Sequence, residues 1–313
     1  MISLTLFTPS GVVVRAAPLK RAARRLGALG FEVAVDESAL ARHQRFGGDD
    51  AVRLAALHRV ASQAPSVAMA TRGGYGLTRL LDRIDWPLLA ASVDAGTRWV
   101  GYSDMTALQT ALYAHTGRGS WAGPLACDDF GRGVADGGVD DVTEGCFVEA
   151  MHGELEAVGF RTDAPRGADG ALPLPLPMEF EARGVLWGGN LCVLASLLGT
   201  PHFPKPKAVR GGVLFLEDVN EHPYRVERSL LQLHQAGVLD AQQAVLLGAF
   251  SGWRKSPLDR GYTLKSAVAH LRGVTKTPIF TGLPFGHVPT KVCLPVGRRA
   301  TLLVQGRDVL VGW

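Results

Sequence analysis

The chain has 313 residues, 47% hydrophobic and 20% charged, with 33 Lys and Arg against 29 Asp and Glu for a formal charge of +4. That length suits two domains and that apolar fraction a packed globular protein, which excludes a peptide, a fibre or a wholly disordered chain. Both signs of charge are dispersed and no Lys/Arg run reaches five, so nucleic acid is not the expected partner.

Ile2–Phe7 reads as a strand ending in the turn Pro9-Ser10-Gly11, followed by a basic helix through Leu19–Leu29 that Gly30 ends. Phe31–Val35 is the next strand, 50–62 a helix, and Ser66–Ala70 a buried strand. After the loop Gly73–Gly76, a helix is expected over Leu77–Ile84, with Leu77, Leu80, Leu81 and Ile84 on one face. Trp99–Tyr102 is a strand, then a helix presents Met105, Leu108 and Leu112 and ends at Gly117. This alternation predicts a mostly parallel sheet flanked by helices.

The middle changes character. Asp128–Asp141, rich in Gly and Asp, reads as a mobile surface loop that can cover a site, and Arg161–Pro177, rich in Pro and Ala, as a crossover. The last part opens with a strand at Gly184–Trp187 and a helix carrying Leu191, Leu194, Leu197 and Leu198. Strands follow at Val213–Leu216 and Ala244–Phe250, with a helix over Tyr224–Gln235 between them. Pro278–Phe280, Val292–Pro295, Thr301–Val304 and Val309–Val311 complete it, the last two as a hairpin. The expected architecture is α/β in two domains: an N-terminal one over 1–145, a crossover over 146–178 and a more β-rich α/β domain over 179–313.

Cys127, Cys146, Cys192 and Cys293 are far apart, with no Cys-x-x-Cys and no zinc-ligand spacing, and are expected to be reduced thiols. No apolar run approaches the roughly 18 residues of a membrane span, and the N-terminus lacks the form of a secretion signal. A cytoplasmic protein without a membrane partner is the expectation.

Three junctions carry chemistry. Gly101-Tyr102-Ser103-Asp104 stands where a strand gives way to a helix, so the Ser103 hydroxyl would lie beside the N–H groups of a helix start, which favour developing negative charge. Ser103 can be a nucleophile there, or Ser103 or Asp104 can simply cap the helix. Met105 occupies the last place of a Gly-x-Ser-x-Gly elbow, which excludes the ordinary α/β-hydrolase pattern. Thr71-Arg72-Gly73-Gly74-Tyr75-Gly76 offers backbone donors as an anion cradle or is only a turn, and it matches neither nucleotide-phosphate loop spacing. In Glu217-Asp218-Val219-Asn220-Glu221-His222-Pro223 one carboxylate can orient a histidine, or Asp218 and Glu221 can cap the next helix. A metal is not expected, because no second histidine stands at helical spacing. His287, in the loop Gly286-His287, is placed to meet a partner.

Together with Trp187-Gly188-Gly189-Asn190-Leu191, Phe285-Gly286-His287 and, more weakly, Thr8-Pro9-Ser10-Gly11, these strings appear in an order that resembles the murein LD-carboxypeptidases. These are the cytoplasmic muramoyltetrapeptide carboxypeptidases of serine peptidase family S66. The resemblance runs from about residue 69 to 297 and implies a Ser103–Glu217–His287 triad in a cleft between the two domains. It also implies an oxyanion hole of backbone N–H groups, for which those of Gly74 and Asp104 fit. The implied reaction removes the terminal D-alanine of a murein tetrapeptide during peptidoglycan recycling, without a cofactor, in an enzyme that is a homodimer. Arg72, Gly73, Tyr75, Trp187 and Asn190 are the candidate substrate-binding residues. Trp187 has packing and Asn190 helix capping as its other reading. Two further readings stay open: a microcin-immunity hydrolase of the same family, acting on aminoacyl-nucleotide analogues, and a ligand-binding protein of the same fold without catalysis.

Overall fold

The computed structural model describes residues 1–163, 177 and 179–313. The chain divides into two compact units. One comprises Met1–Leu155, Gly199–Pro204 and Pro289–Gly297; the other comprises Glu156–Leu198, Lys205–Val288 and Arg298–Trp313.

The first unit carries strands β1 (Ile2–Phe7), β2 (Phe31–Val35), β3 (Val67–Ala70), β4 (Arg98–Gly101) and β5 (Ser120–Ala122). Its helices are α1 (Ala16–Ala28), α2 (Asp50–Gln63), α3 (Trp86–Asp94), α4 (Met105–Thr116) and α5 (Asp141–His152). The second unit begins with β6 (Ala157–Arg161) and β7 (Glu179–Asn190), followed by α6 (Leu191–Ser196), α7 (Pro206–Val209), β8 (Val213–Val219) and α8 (Pro223–Gln235). Then come β9 (Ala244–Ser251), α9 (Leu264–Val274), β10 (Ile279–Thr281), β12 (Arg298–Gln305) and β13 (Asp308–Gly312), while β11 (Leu294–Val296) lies between β10 and β12 in the chain but belongs to the first unit.

In the first unit the sheet order is β11-β5-β4-β3-β1-β2, parallel from β2 to β5. β11 closes it antiparallel to β5, with Pro295 opposite Trp121. A proline lacks the N–H that a second neighbour would need, and an edge strand accommodates it. Leu4, Leu6, Val67, Met69 and Val100 are fully buried, as expected of strands covered on both faces. Phe7 meets Trp99 edge to face at 5.4 Å, and the indole N–H of Trp99 donates to Ser92 Oγ at 3.0 Å.

The second unit has the order β10-β9-β8-β7-β12-β13-β6, parallel from β10 to β7 and antiparallel beyond it. Its core packs Leu214, Phe215, Leu216 and Leu246, with Phe215 edge to face on Phe285 at 5.5 Å. Among the described residues no helix is long and apolar enough to cross a membrane.

Several expectations are corrected. Leu77–Ile84 is two 3₁₀ turns, at Leu77–Arg79 and Leu81–Arg83. Leu80 N–H donates to the Leu77 carbonyl and Arg83 N–H to the Leu80 carbonyl, both at 2.8 Å, so the leucines are buried by a three-residue repeat. α1 starts at Ala16, three residues early, because Pro18 lies in the first turn, where the missing N–H is no loss. Asp128–Asp141 is not a continuous loop. Asp129 and Phe130 are buried in a π turn over Ala126–Phe130, Val134–Asp136 is a 3₁₀ turn, and Asp140 caps α5 by accepting from Thr143 N–H at 3.0 Å.

The expected crossover 146–178 opens inside α5 and includes β6, whose alternating Val158 finds its place against β13. Its stretches 164–176 and 178 lie outside the described residues. Val292–Pro295 contributes to the first sheet, because β5 offers Leu294–Val296 a free edge to pair with. α3, α9, β5 and β6 had no expectation behind them.

Candidate active site

In the first unit β1, β3 and β4 are neighbours, so the segments leaving their C-terminal ends gather at one sheet edge, where open α/β sheets bind ligands. Those segments are 8–11, 71–77 and the Ser103 turn. Ser103 has φ 65°, a left-handed conformation rare for a residue with a side chain, which costs on the order of 1–3 kcal/mol and persists only where surroundings enforce it. The surroundings are close. A Cβ on Gly73 would fall 2.7 Å from both Cβ and Oγ of Ser103 and 3.5 Å from the Asp104 backbone nitrogen. Gly101, at φ 159°, would press a Cβ 2.8 Å from Met105 Cγ.

Asp104 stands at the N-cap of α4 but makes no side-chain cap bond there. The Asp104 carboxylate is buried and turns elsewhere: its Oδ2 accepts from Ser10 Oγ at 2.5 Å and from Leu77 N–H at 2.9 Å. Gly11 N–H donates to the Gly73 carbonyl at 3.1 Å, and a Cβ on Gly74, at φ 109°, would lie 3.3 Å from Gly11 Cα. The loop from β1 thus lies directly against the glycine loop. Arg72 Nη1 donates to the Val12 carbonyl at 3.0 Å. Tyr75 is 44% exposed, with its ring 5.9 Å from Phe46.

In the second unit the C-terminal ends of β7, β8 and β9 form the corresponding edge. Glu217 pairs in register with Asn190 of β7, at a break in the β8–β9 register between Leu216 and Asp218. Its side chain is fully buried; Oε2 accepts from His287 Nδ1 at 2.7 Å and Oε1 from Asn190 Nδ2 at 3.1 Å. An imidazole that donates through Nδ1 to a carboxylate carries its basic lone pair on Nε2. The His287 side chain keeps 20% of its exposure.

Close backbone approach makes this possible. A Cβ on Gly286 would lie 3.0 Å from Glu217 Oε2, and one on Gly248 2.4 Å from the Phe285 carbonyl oxygen. The His287 carbonyl accepts from Ser251 Oγ at 3.0 Å, which holds the loop. Asp218, next to Glu217, accepts from Asn190 Nδ2 at 2.9 Å, from Cys192 N–H at 2.8 Å and from Val219 N–H at 2.8 Å. Burial above all, with the Glu217 charge adding to it, pushes its carboxyl up to about 6.

Two of the candidate substrate-binding residues have internal partners. Asn190 is 5% exposed and uses both ends of its amide internally: Oδ1 caps α6 through Val193 N–H at 3.1 Å, while Nδ2 serves the two carboxylates. Trp187 is 2% exposed and its indole N–H donates to Gln242 Oε1 at 2.9 Å, a packing role. Asp218 and Glu221 do not cap α8. His222 does, through Nδ1 and Tyr224 N–H at 3.4 Å, while Glu221 pairs with Arg225. Ser10 was marked only as part of the Thr8-Pro9-Ser10-Gly11 string, and Arg53 and the bond from Asn190 to Asp218 were not singled out from sequence. The strand register that sets Asn190 opposite Glu217 is the signal that finds the last. Among the described residues no group of three or more His, Cys, Asp or Glu is arranged to hold a metal, and all four cysteines are free.

Comparison with known proteins agrees over both units. The LD-carboxypeptidase N-terminal domain matches residues 4–123 and the LD-carboxypeptidase C-terminal domain residues 183–302. The chain is 36% identical to a Streptomyces coelicolor relative over 269 residues, 84% of this chain and 78% of the other. It is 30% identical to the murein tetrapeptide carboxypeptidase of Pseudomonas aeruginosa, covering 91% and 88% of the two chains. Muramoyltetrapeptide carboxypeptidase from Oxalobacter formigenes superposes with a TM-score of 0.85 at 36% identity, over 99% of this chain and 97% of that one. The microcin C7 self immunity protein MccF shares the fold, with a TM-score of 0.84 at 19% identity over 100% and 96%. The chain belongs to the LD-carboxypeptidase family, peptidase family S66.

Proposed function

We propose that this chain removes the C-terminal D-alanine from murein tetrapeptides, cleaving the bond from the L-centre of diaminopimelate, with Ser103, Glu217 and His287 acting as a triad. The observation that carries the reading is the 2.7 Å bond from His287 Nδ1 to the fully buried Glu217 carboxylate, which sets the tautomer a general base needs. Ser103 Oγ attacks the peptide carbonyl and its proton passes to His287 Nε2. The resulting oxyanion is met by the backbone N–H groups of Asp104 and Gly74. Collapse breaks the C–N bond, and His287 returns the proton to the departing D-alanine amine. Water, deprotonated by the same imidazole, then hydrolyses the acyl-enzyme and restores Ser103. Glu217 orients the imidazole and stabilises its cation, so the chemistry needs no cofactor.

Arg72, Gly73 and Tyr75 keep the role of binding residues in this reading. Arg72 and Tyr75 line the loop that carries Gly73 and Gly74, and a carboxypeptidase must hold a free carboxylate near such donors. A cytoplasmic homodimer acting in peptidoglycan recycling is the form we expect of the enzyme.

The test is mass spectrometry of L-Ala–γ-D-Glu–diaminopimelate–D-Ala after incubation with the protein. A peptide ending in L-Ala and the Ser103→Ala variant serve as controls. Release of D-alanine by the parent, with a fall of at least about 10⁴-fold in Ser103→Ala and an unchanged melting temperature, is expected. Cleavage of an aminoacyl sulfamoyl nucleotide and of neither peptide would replace this reading with the immunity-type hydrolase.

A further inference from the structure

Asp104 follows the nucleophile, and its side chain does something that the triad does not require. Three buried polar residues of the first unit meet on the loops beside Ser103: Ser10 and Arg53, both fully buried, and Asp104, 2% exposed. They bind the same two loops through neighbouring peptide groups. The Asp104 carboxylate accepts from the Ser10 hydroxyl and from Leu77 N–H. Arg53 Nη1 donates to the Pro9 carbonyl at 3.0 Å and to the Gly76 carbonyl at 2.8 Å. The anion thus holds residues 10 and 77 while the cation holds residues 9 and 76. Gly76, at φ 157°, is required, since a Cβ there would fall 2.6 Å from Arg53 Nη1. The guanidinium is itself fixed by Asp50 at 2.5 Å and by the Phe46 ring, 4.8 Å from Cζ.

We propose that Asp104, Ser10 and Arg53 form a clamp that positions the backbone donors around Ser103, so that Ser10 and the Asp104 side chain are positioning residues for the reaction. The proposal rests on the reading of Ser103 as nucleophile. The physical case has two parts. First, the left-handed Ser103 is strained, and a strained turn keeps its geometry only if its neighbours are fixed. Asp104 ties the start of α4 to both loops, and the loop it ties at Leu77 also carries Gly73 and Gly74. Second, a carboxylate one residue from a developing oxyanion opposes that charge unless it is neutralised. Arg53 supplies the opposite charge from within the same buried cluster. On balance the Asp104 carboxyl is raised, by burial first of all, against the smaller pull of the Ser10 and Leu77 bonds and the Arg53 charge.

The experiment measures kcat and KM for D-alanine release from the tetrapeptide with the full chain, for Ser10→Ala, Asp104→Asn, the double variant and Ser103→Ala. Each is assayed well below its own melting temperature. The clamp predicts kcat lower by about tenfold in Ser10→Ala and by about a hundredfold in Asp104→Asn, the scale of one misplaced oxyanion donor, with KM within about threefold of the parent. The double variant should be no slower than Asp104→Asn by more than about threefold, because both changes break one contact. Parent-like kcat in the single variants, losses confined to KM, or losses that multiply in the double variant would overturn the clamp. If Asp104→Asn fails to fold, Ser10→Ala decides alone, since it keeps the carboxylate. Retained turnover in Ser103→Ala would instead remove the nucleophile reading; an inactive Ser103→Ala beside parent-like clamp variants removes the clamp only.

Discussion

The sheet edge that carries Ser103 and the one that carries Glu217 solve different problems. At the end of β4 the control is exerted on the backbone: Ser103 sits at φ 65°, Gly73 and Gly101 leave no room for a Cβ, and the loops from β1 and β3 are tied by peptide groups. At the end of β8 the control is exerted by side chains. Glu217 is an ordinary strand residue, and Asn190 and His287 converge on its carboxylate from a neighbouring strand and a loop. A nucleophile must present its hydroxyl past its own helix start, which is a matter of dihedral angles. A base must keep one ring nitrogen occupied, which is a matter of partners. The two edges should therefore fail in different ways.

The largest effect is expected at the side-chain edge. Glu217→Gln preserves shape, but its amide no longer selects the imidazole tautomer or stabilises the imidazolium. Loss of kcat by about 10³–10⁴-fold, with a melting temperature within a few degrees of the parent, is the expected result in steady-state kinetics. A variant within tenfold of the parent would show that the 2.7 Å contact is structural only. At the backbone edge the sensitive change is steric. Gly73→Ala inserts a methyl 2.7 Å from Ser103 Oγ, and displacement of the hydroxyl by a fraction of an ångström should lower kcat by about a hundredfold. Unaltered turnover would mean that Ser103 does not need its present place.

The smallest effect concerns pH and stability. The Asp218 carboxyl is pushed up to about 6 by burial, against roughly 4 for the unfolded chain. A raised folded value favours the folded state below pH 4, and that contribution is lost as pH rises through 6. Asp218→Asn carries no such titration. Its melting temperature relative to the parent should therefore be higher at pH 7.5 than at pH 4 by a few degrees, as read by calorimetry. A constant difference would place the titration elsewhere. No equivalent signal is expected from Ser103, which has no charge to lose.

Much of this was legible in the chain. The strands Ile2–Phe7 and Phe31–Val35 fall where the sequence puts them; the first is buried from Leu4 onward, while the second, at the sheet edge, buries only Phe31. Glycines marked the turns at 73–76, 101 and 286, where only a residue without Cβ allows the approaches seen. The strings around Ser103, Glu217 and His287 identified the family. Tertiary packing decided the rest. Leu77–Ile84 has a period that suits either helix type, and the anchoring of Leu77 N–H on Asp104 goes with the tighter one. Val292–Pro295 reads as a strand, but only the free edge of β5 determines which sheet it joins, as Leu294–Val296. Asn190 reads equally as a cap or a binding residue, and only the register puts its amide beside Glu217. Local sequence sets which backbone conformations are affordable; which side chains share a buried carboxylate depends on strands far apart in the chain, and periodicity carries no record of that.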